Sequence, residues 1–289
     1  MSLADTASRL SLDMLDSVAR DIPVSWDERD TILYALGVGA GLGAPDRELQ
    51  FTTENTGRIG LQALPSFLTV LLVPKLPPAI ERLDKAPFLH AEQRIELLGV
   101  LPPSGSGLVN SCVEALHDKG DNAIVVVAAE LRDAGSGALI GRSRASMYVR
   151  GGGGFGGARG ASTPWAAPTA APDLRVIHPT RPEQALLYRL SGDRHPLHSD
   201  PAFARRQGFA APILHGLATY GFACRALVEG VCAGDATRLR SMRGRFSRPI
   251  LPGETLTTEI WLANEGRAVF RTVDEAGSVI IDRGEAMAG

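Results

Sequence analysis

The 289-residue chain has few cysteines, no excess of positive charge and no long apolar run. Cys112, Cys224 and Cys232 are odd in number and show no C-x-x-C spacing, which excludes a paired disulfide framework and a cysteine zinc site. With 30 Lys and Arg against 32 Asp and Glu, the net charge of −2 provides no cationic surface for nucleic acid. The small number of cysteines and the lack of net positive charge favour a globular protein with reduced cysteines.

The chain also lacks a segment suited to a membrane or to secretion. The longest apolar run, near residues 68–76, is too short to span a bilayer and is interrupted by Pro74 and Lys75. Residues 1–23 carry scattered acidic side chains and no continuous apolar stretch of the kind that a secretory signal requires. A cytoplasmic location without membrane association is therefore expected.

Hydrophobic residues nevertheless make up 44% of the chain, which is enough for a sizeable core. Apolar residues at helical spacing predict a helix within residues 1–20, and Ser25 with Glu28 forms a capping-box pattern that predicts a second helix. Further along, the period changes to that of strands separated by glycine-containing turns, which predicts an antiparallel meander. The predicted strands are residues 93–98, 107–115, 123–132 and 138–150.

Residues 151–173, GGGGFGGARGASTPWAAPTAAPD, are dominated by Gly, Ala, Pro and Ser, and this composition predicts a linker. The segment contains a G-x-G-x-x-G pattern. A dinucleotide-binding fingerprint requires a helix directly after such glycines, and the following Ala-Ser-Thr-Pro does not supply one. The predicted organisation is therefore an N-terminal unit over 1–150, the linker over 151–173 and a C-terminal unit over 174–289.

The two units share an outline that indicates a tandem duplication. Each has a helix-then-strands order, which is typical of an α+β arrangement with one helix covered by an antiparallel sheet. Asp193 has no counterpart in the first unit, so any chemistry is expected in the second. The matched segments, in chain order, are 32–37 with 186–192, 63–67 with 211–214, and 94–102 with 245–252.

A concentration of polar residues lies between positions 188 and 221. Asp193 begins a loop after Gly192, Pro196 restricts the backbone of that loop, and His198 lies at its far end. A carboxylate and an imidazole that come together can hold a water molecule and move its protons. The alternative is a turn aspartate and a half-buried loop histidine that have no chemical role.

An almost entirely apolar helix is predicted to begin near Gly216. Backbone N–H groups at a helix start are unpaired and the helix dipole is positive there, so a ligand carbonyl could approach the Gly216 amide as in an oxyanion hole. A glycine that merely permits tight helix packing is the alternative. Asp200, followed by Pro201, is interpreted as a helix N-cap. His215 is assigned to packing or to a backbone hydrogen bond.

These residues resemble the signature of the MaoC-like, type 2 (R)-specific enoyl-CoA hydratases, which have the hot-dog fold. The likeness covers nearly the whole chain, because WDERDTILYALGVGAG, LHAEQ and GGGGFGG are similar to the double hot-dog hydratase unit of peroxisomal multifunctional enzymes type 2. The resemblance implies an α+β tandem double hot-dog, in which each half has a long central helix wrapped by a curved antiparallel sheet. The matching segments are Gly192-Asp193-x-His195-Pro196-Leu197-His198-x-Asp200-Pro201 and Gly208-Phe209-x-x-Pro212-Ile213-Leu214-His215-Gly216-Leu217.

The resemblance further implies hydration of a trans-2-enoyl-CoA to a (3R)-3-hydroxyacyl-CoA in fatty-acyl metabolism, with an acyl-CoA partner and no metal or redox cofactor. Asp193 and His198 would hold and activate the water, and the Gly216 amide would stabilise negative charge on the thioester oxygen. A homodimer is also implied. The positions that match the family's substrate-binding pocket are His90, Ala91, Lys119, His195 and Phe246.

Two positions depart from the family pattern, since His195 replaces the usual Asn and Ala91 replaces the usual Gly. Three alternatives stay open on the residues themselves. Asp193, His195 and His198 could hold a metal ion. A hot-dog acyl-ACP dehydratase or thioesterase would use a similar thioester site. A non-catalytic acyl-CoA binding module would keep the pocket and lack the chemistry.

Overall fold

The computed structural model describes residues 10–83, 88–161 and 165–289. Within this part, one continuous antiparallel sheet of ten strands dominates the fold. The strands are β1 Val18–Trp26, β2 Phe88–Leu97, β3 Gly105–Asp118, β4 Ala123–Asp133, β5 Leu139–Val149, β6 Leu174–Pro179, β7 Leu239–Phe246, β8 Thr255–Leu262, β9 Arg267–Val273 and β10 Val279–Ala288. The four strands predicted in the first unit are confirmed as β2 to β5.

The sheet shows the duplication directly. Its strand order is β1-β3-β4-β5-β2-β7-β10-β9-β8-β6, so the first five strands and the last five have the same internal order, read from opposite edges. The two halves meet where β2 pairs with β7, with a register that runs from Glu92 opposite Arg245 to Glu96 opposite Ser241. This α+β arrangement is the predicted tandem double hot-dog.

The central helices of the two halves differ in length. The helices are α1 Glu28–Gly37, α2 Leu49–Thr52, α3 Leu68–Leu72, α4 Gln184–Tyr188, α5 Pro201–Arg206 and α6 Gly216–Cys232. Helix α6 has 17 residues, is buried along most of its length and contacts β6, β7, β8 and β10. Helix α3 has only five residues and continues as a 3-10 turn at Val73–Lys75. The first half departs from the predicted long helix because Pro74 lacks the N–H needed to extend it.

The N-terminal prediction was wrong within the described residues. The expected helix over residues 1–20 lies partly outside them, and its described part forms a 3-10 turn at Leu12–Asp16 and then enters β1, which pairs with β3. The N-cap of α1 lies two residues later than the predicted Ser25. Asp27 is the N-cap, and Asp27 and Asp30 each accept the other's backbone N–H in a capping box.

The glycine-rich segment is held by a carboxylate of the same chain. Residues 151–161 and 165–173 contain no helix or strand. Asp118 accepts backbone hydrogen bonds from Gly120, Gly154 and Gly156 at 2.9, 3.0 and 2.9 Å. Gly154 and Gly156 have φ values of 81° and 79°, which favour glycine. The glycines of the G-x-G-x-x-G segment therefore donate to a carboxylate of this chain and not to a bound phosphate. These N–H groups lower the pKa of Asp118.

One hydrophobic core joins both halves. It combines α6 with Tyr34, Phe67 and Ile95 of the first half, so the two units share buried surface as well as a sheet. A second, smaller cluster lies under the first half and includes Met14 and Val125. Among the helices of the described segments, none is long and apolar enough to cross a membrane.

Candidate active site

The loop that carries Asp193 is fixed by its own backbone and side chains. Gly192, with φ of 128°, turns the chain out of the preceding 3-10 turn. The His195 N–H donates to Asp193 Oδ1 at 3.0 Å, and His195 Nδ1 accepts the Leu197 N–H at 3.3 Å. His195 thereby caps a short 3-10 turn, Pro196–His198. The aspartate carboxylate is consequently held in one orientation while it remains exposed.

The protonation pattern of His198 suits a general base. Its Nδ1 lies 2.9 Å from the carbonyl oxygen of Ile213. Because a carbonyl can only accept, Nδ1 carries the proton and Nε2 is left with a lone pair. Burial lowers the pKa of His198, so the imidazole is neutral near pH 7. The loop therefore presents a carboxylate and a neutral imidazole acceptor together.

His215 contacts both of these residues. Its ring stacks on that of His198 with centroids 3.7 Å apart and an angle of 23°. Its Nε2 donates to the backbone carbonyl of Asp193 at 3.1 Å, while Nδ1 is buried with no hydrogen-bond partner among the residues that the structure describes. Burial, together with the neighbouring His198, lowers the pKa of His215 to about 4. The backbone hydrogen bond expected for this residue is confirmed, and its acceptor belongs to the Asp193 loop.

Gly216 is the first residue of α6, where the helix N–H groups are unpaired and the dipole is positive. A Cβ placed on Gly216 would meet the Phe246 ring at 3.6 Å, an ordinary contact. A Cβ on Gly221 of the same helix would instead lie 2.4 Å from Val38. Packing therefore requires glycine at 221 and leaves position 216 open, which favours the anion-stabilising interpretation of Gly216 over the packing alternative.

The first half contributes residues at the seam between β2 and β7. The His90 ring meets the Phe246 ring edge-on at 5.0 Å, and Phe246 faces Gly216. Ala91 lies at a β-bulge, where the β2–β5 register shifts between His90 and Glu92. Burial lowers the pKa of His90 to about 4, and its Nε2 is buried with no hydrogen-bond partner among the described residues. Of the predicted pocket residues, Phe246 therefore faces Gly216, His90 packs on Phe246, and Ala91 is the next residue of β2.

Lys119 lies away from this group. It occupies the β3–β4 turn, and its Nζ donates to the carbonyl oxygen of Arg159. The ladder partners Asp118–Ala123–Val149–Phe88 cross from β3 to β2, three strand spacings or about 14 Å. Lys119 is therefore at the same end of the sheet as His90 and too far away to touch the reacting atoms.

His195 is also placed outside the seam, on the exposed side of the loop. Its ring packs edge-on against Phe203 at 5.4 Å and stands 6.2 Å from the ring of His198. The neighbouring Asp200 accepts the N–H groups of Ala202 and Phe203, so the predicted N-cap is confirmed.

The structure brings together a different set of possible metal ligands from the set considered in the sequence. Among the described residues, Asp193, His198 and His215 each place one oxygen or nitrogen within 4.8 Å of the others, a spacing that suits a shared water molecule or a metal ion. His195 is not part of this group, because its Nδ1 is turned to the Leu197 amide. The set Asp193, His195 and His198 considered from sequence is therefore not the one brought together.

Tyr188 has no role assigned from sequence. It is buried, its ring lies 4.9 Å from that of His215, and burial together with the Asp193 charge raises its pKa. Its repeat counterpart Tyr34 lies 6.0 Å away from it, ring to ring. The matched tyrosines in the duplicated segments are the signal that could have identified this contact.

Comparisons with known proteins agree with this architecture. Residues 24–151 match the MFE-2 hydratase 2 N-terminal domain, and residues 165–284 match the MaoC like domain. The chain is 46% identical over 283 residues to 3-hydroxyacyl-thioester dehydratase Y of Mycobacterium tuberculosis, a match that covers 93% of this chain and 95% of that protein. It is 38% identical over 293 residues to the peroxisomal enoyl-CoA hydratase 2 of Arabidopsis thaliana, covering 93% of each.

A solved structure shows the same fold at similar identity. The MaoC-like dehydratase from Phytophthora capsici superposes with a TM-score of 0.84 and 34% identity, over 97% of this chain and 98% of that one. One family match covers each of the two units of the sheet, and both of these relatives align with 93% of the chain. The chain belongs to the MaoC-like hydratase and dehydratase family, in the two-unit form that joins an MFE-2 hydratase 2 N-terminal domain to a MaoC-like domain.

Proposed function

We propose that this protein is an (R)-specific enoyl-CoA hydratase, which adds water to a trans-2-enoyl-CoA to give a (3R)-3-hydroxyacyl-CoA and catalyses the reverse dehydration in fatty-acyl metabolism. The observation that carries the proposal is the convergence of a fixed carboxylate, a neutral imidazole and an open helix-terminal amide. The relative named enoyl-CoA hydratase 2 supports the substrate class.

The geometry supports a stepwise division of roles. A water molecule held between the Asp193 carboxylate and His198 Nε2 gives up a proton while its oxygen bonds to C3 of the substrate. The electron pair of the C2=C3 bond moves toward the thioester, and the Gly216 N–H stabilises the charge on its oxygen. Removal of a donor of this kind costs about 3–4 kcal/mol of barrier in other enzymes. A proton delivered to C2 completes the addition of one water.

We place the thioester along the β2–β7 seam. Phe246 faces Gly216, and His90, which precedes Ala91 in β2, packs on Phe246, so the first half would supply a wall of the pocket for a reaction carried by the second half. The CoA moiety would extend along the same end of the sheet toward Lys119. His195 would act on the thioester only through the loop that it caps. The same proposal includes a homodimer and a cytoplasmic location, which light scattering and cell fractionation test.

The proposed chemistry uses no metal and no redox cofactor. Asp193, His198 and the Gly216 amide supply the proton acceptor, the water contact and the charge stabilisation without one. Exhaustive treatment of the purified protein with a chelator should therefore leave kcat unchanged. A loss of activity that Zn²⁺ or Mn²⁺ restores would instead favour a metal at the Asp193, His198 and His215 group.

The function is tested by hydration of trans-2-enoyl-CoAs of short, medium and long chain, followed as loss of the absorbance of the conjugated thioester. Chiral analysis of the product should show the 3R alcohol. Turnover of acyl-ACP substrates but not of acyl-CoA substrates would favour an acyl-ACP dehydratase. Hydrolysis that releases free CoA would favour a thioesterase. Binding of a saturated acyl-CoA without turnover of any enoyl-CoA would leave a non-catalytic binding module.

A further inference from the structure

A single side chain connects all three groups of the candidate active site. The His215 ring stacks on His198, its Nε2 donates to the Asp193 carbonyl, and its backbone is the N-cap of α6, directly before Gly216. His215 is 1% exposed, so it cannot itself hold a water that exchanges freely with solvent. The contacts of its ring are with Asp193, His198 and Tyr188.

The chemistry of these contacts argues against simple packing. An aromatic or aliphatic residue would fill the same space without burying polar atoms, and a buried Nδ1 with no partner among the described residues costs free energy. The hydrogen bond from Nε2 recovers part of that cost by fixing the Asp193 carbonyl. That carbonyl and the Asp193 carboxylate belong to one residue, so an anchor on the carbonyl limits the movement of the carboxylate.

The stacking contact restrains the second catalytic group. His198 is held on one side by its Nδ1 hydrogen bond to Ile213 and on one face by the ring of His215. Tyr188 packs on His215 at a ring distance of 4.9 Å and limits the movement of His215 in turn. A neutral His215 adds no positive charge beside His198 when His198 accepts a proton, and burial lowers the pKa of His215 enough to keep it neutral at pH 7.

We propose that His215 is a positioning residue that sets the distance and orientation of Asp193 and His198 relative to the Gly216 amide. The inference rests on the proposed hydratase reaction, since it assigns His215 a role in that reaction's geometry. It treats His215 as acting through its neighbours, without contact with the substrate.

Three variants separate the contacts of His215. His215→Phe keeps a stacking ring and removes the donor, His215→Gln keeps an N–H donor without the ring, and His215→Ala removes both. A buried histidine outside the site, His178, provides the matched control as His178→Phe. It is 9% exposed, lies on β6 and pairs through Nε2 with the exposed Glu229 at 3.3 Å.

The readouts are kcat and KM for crotonyl-CoA, the melting temperature, and hydrogen exchange of the amides in residues 193–199. We expect His215→Phe to lower kcat about 10²-fold with KM changed less than about threefold, because misplaced catalytic groups slow the chemical step. His215→Gln should recover part of kcat, and His215→Ala should be the slowest. The loop amides should exchange faster in His215→Phe and not in His178→Phe.

Each contrary result has a defined meaning. A folded His215→Phe that keeps more than about half of the wild-type kcat would overturn the positioning role. Loss of the fold in all three His215 variants, with His178→Phe folded, would assign His215 to the core and overturn it as well. If wild-type protein turns over no enoyl-CoA, the hydratase proposal fails, and unchanged loop exchange in His215→Phe would separately refute the anchoring of Asp193.

Discussion

At the scale of single residues, His195 shows how one side chain can replace another. An N-cap is favoured when a short side chain accepts a backbone N–H near the start of a helical turn, and Asn does this well. His195 supplies the same acceptor through Nδ1, which receives the Leu197 N–H at 3.3 Å. In place of the family's usual Asn, His195 therefore provides a cap acceptor and also a ring that packs on Phe203.

His195→Asn should accordingly keep the activity within about threefold of wild type, because the amide oxygen can accept the Leu197 N–H. His195→Leu should lower kcat about tenfold, since it leaves the turn uncapped. Steady-state hydration of crotonyl-CoA measures both. Complete loss in His195→Asn would show that the imidazole has a role beyond the cap.

The proposed roles of Asp193 and His198 predict a sharper loss. Asp193→Asn and His198→Gln should each abolish hydration and leave the melting temperature near that of wild type, because Asp193 is exposed and His198 is half-buried on a loop. Retention of more than about a tenth of the wild-type rate in both variants would refute the assignment.

Buried histidines predict a dependence of stability on pH. Burial lowers the pKa of His90 and His215 to about 4, from an ordinary value of about 6.5 in an unfolded chain. Between these values the unfolded state binds more protons than the folded state, so the stability present above pH 6.5 is lost as the pH falls toward 4. Urea unfolding across this window should show a falling free energy, with a shallower fall in His90→Phe. A flat profile would contradict the buried neutral state.

At the scale of elements, the start of α6 can be tested with a pair of glycines. Gly216→Ala should fold normally, since its Cβ meets Phe246 at 3.6 Å, and should lower kcat about 10²-fold by obstructing the approach of the thioester oxygen. Gly221→Ala is the packing control and should lower the melting temperature, because its Cβ would lie 2.4 Å from Val38. Full activity in Gly216→Ala would remove this amide from the mechanism.

The elements also show which patterns could be predicted from the sequence. Strands β3 to β5 succeed one another with glycine turns between them, so each pairs with a neighbour in the chain and the local pattern is sufficient. Strand β1 lies at an edge of the sheet and pairs with β3, roughly 90 residues away in the chain. The helical spacing of apolar residues in this region predicts a helix, because strand formation here depends on that distant partner. The short α3 is explained by Pro74, which has no backbone N–H to continue the α-helical hydrogen bonds.

The candidate site likewise contains residues that the local sequence could suggest and contacts that it could not. Asp193, His198 and Gly216 lie in one stretch of the chain, so the sequence could suggest a water-binding pair and an anion site, while their roles in hydration come from the family resemblance. The stacking of His198 on His215 and the approach of His90 to Phe246 depend on how separate elements meet. No local pattern contains that information, so the sequence predicts only packing or a backbone hydrogen bond for His215.

At the scale of the whole molecule, the halves are joined by more than the linker. The β2–β7 ladder and the shared core cross from one half to the other. A specific protease site inserted after Ala167 should therefore give two fragments that elute together and retain most of the activity. Separation of the fragments under native conditions would show that the covalent linker, and not the seam, holds the halves. The uncut insertion variant serves as the control.

The seam also has a genetic consequence. On the proposed roles, the pocket wall at His90 and the chemistry at His198 come from different halves of one chain, so each chain would build its own complete site. Two alleles, one damaged in the first half and one in the second, would each produce a chain whose own site is defective. Co-expression of such alleles should not restore activity, so they would behave as one complementation group even though the two halves share one strand order.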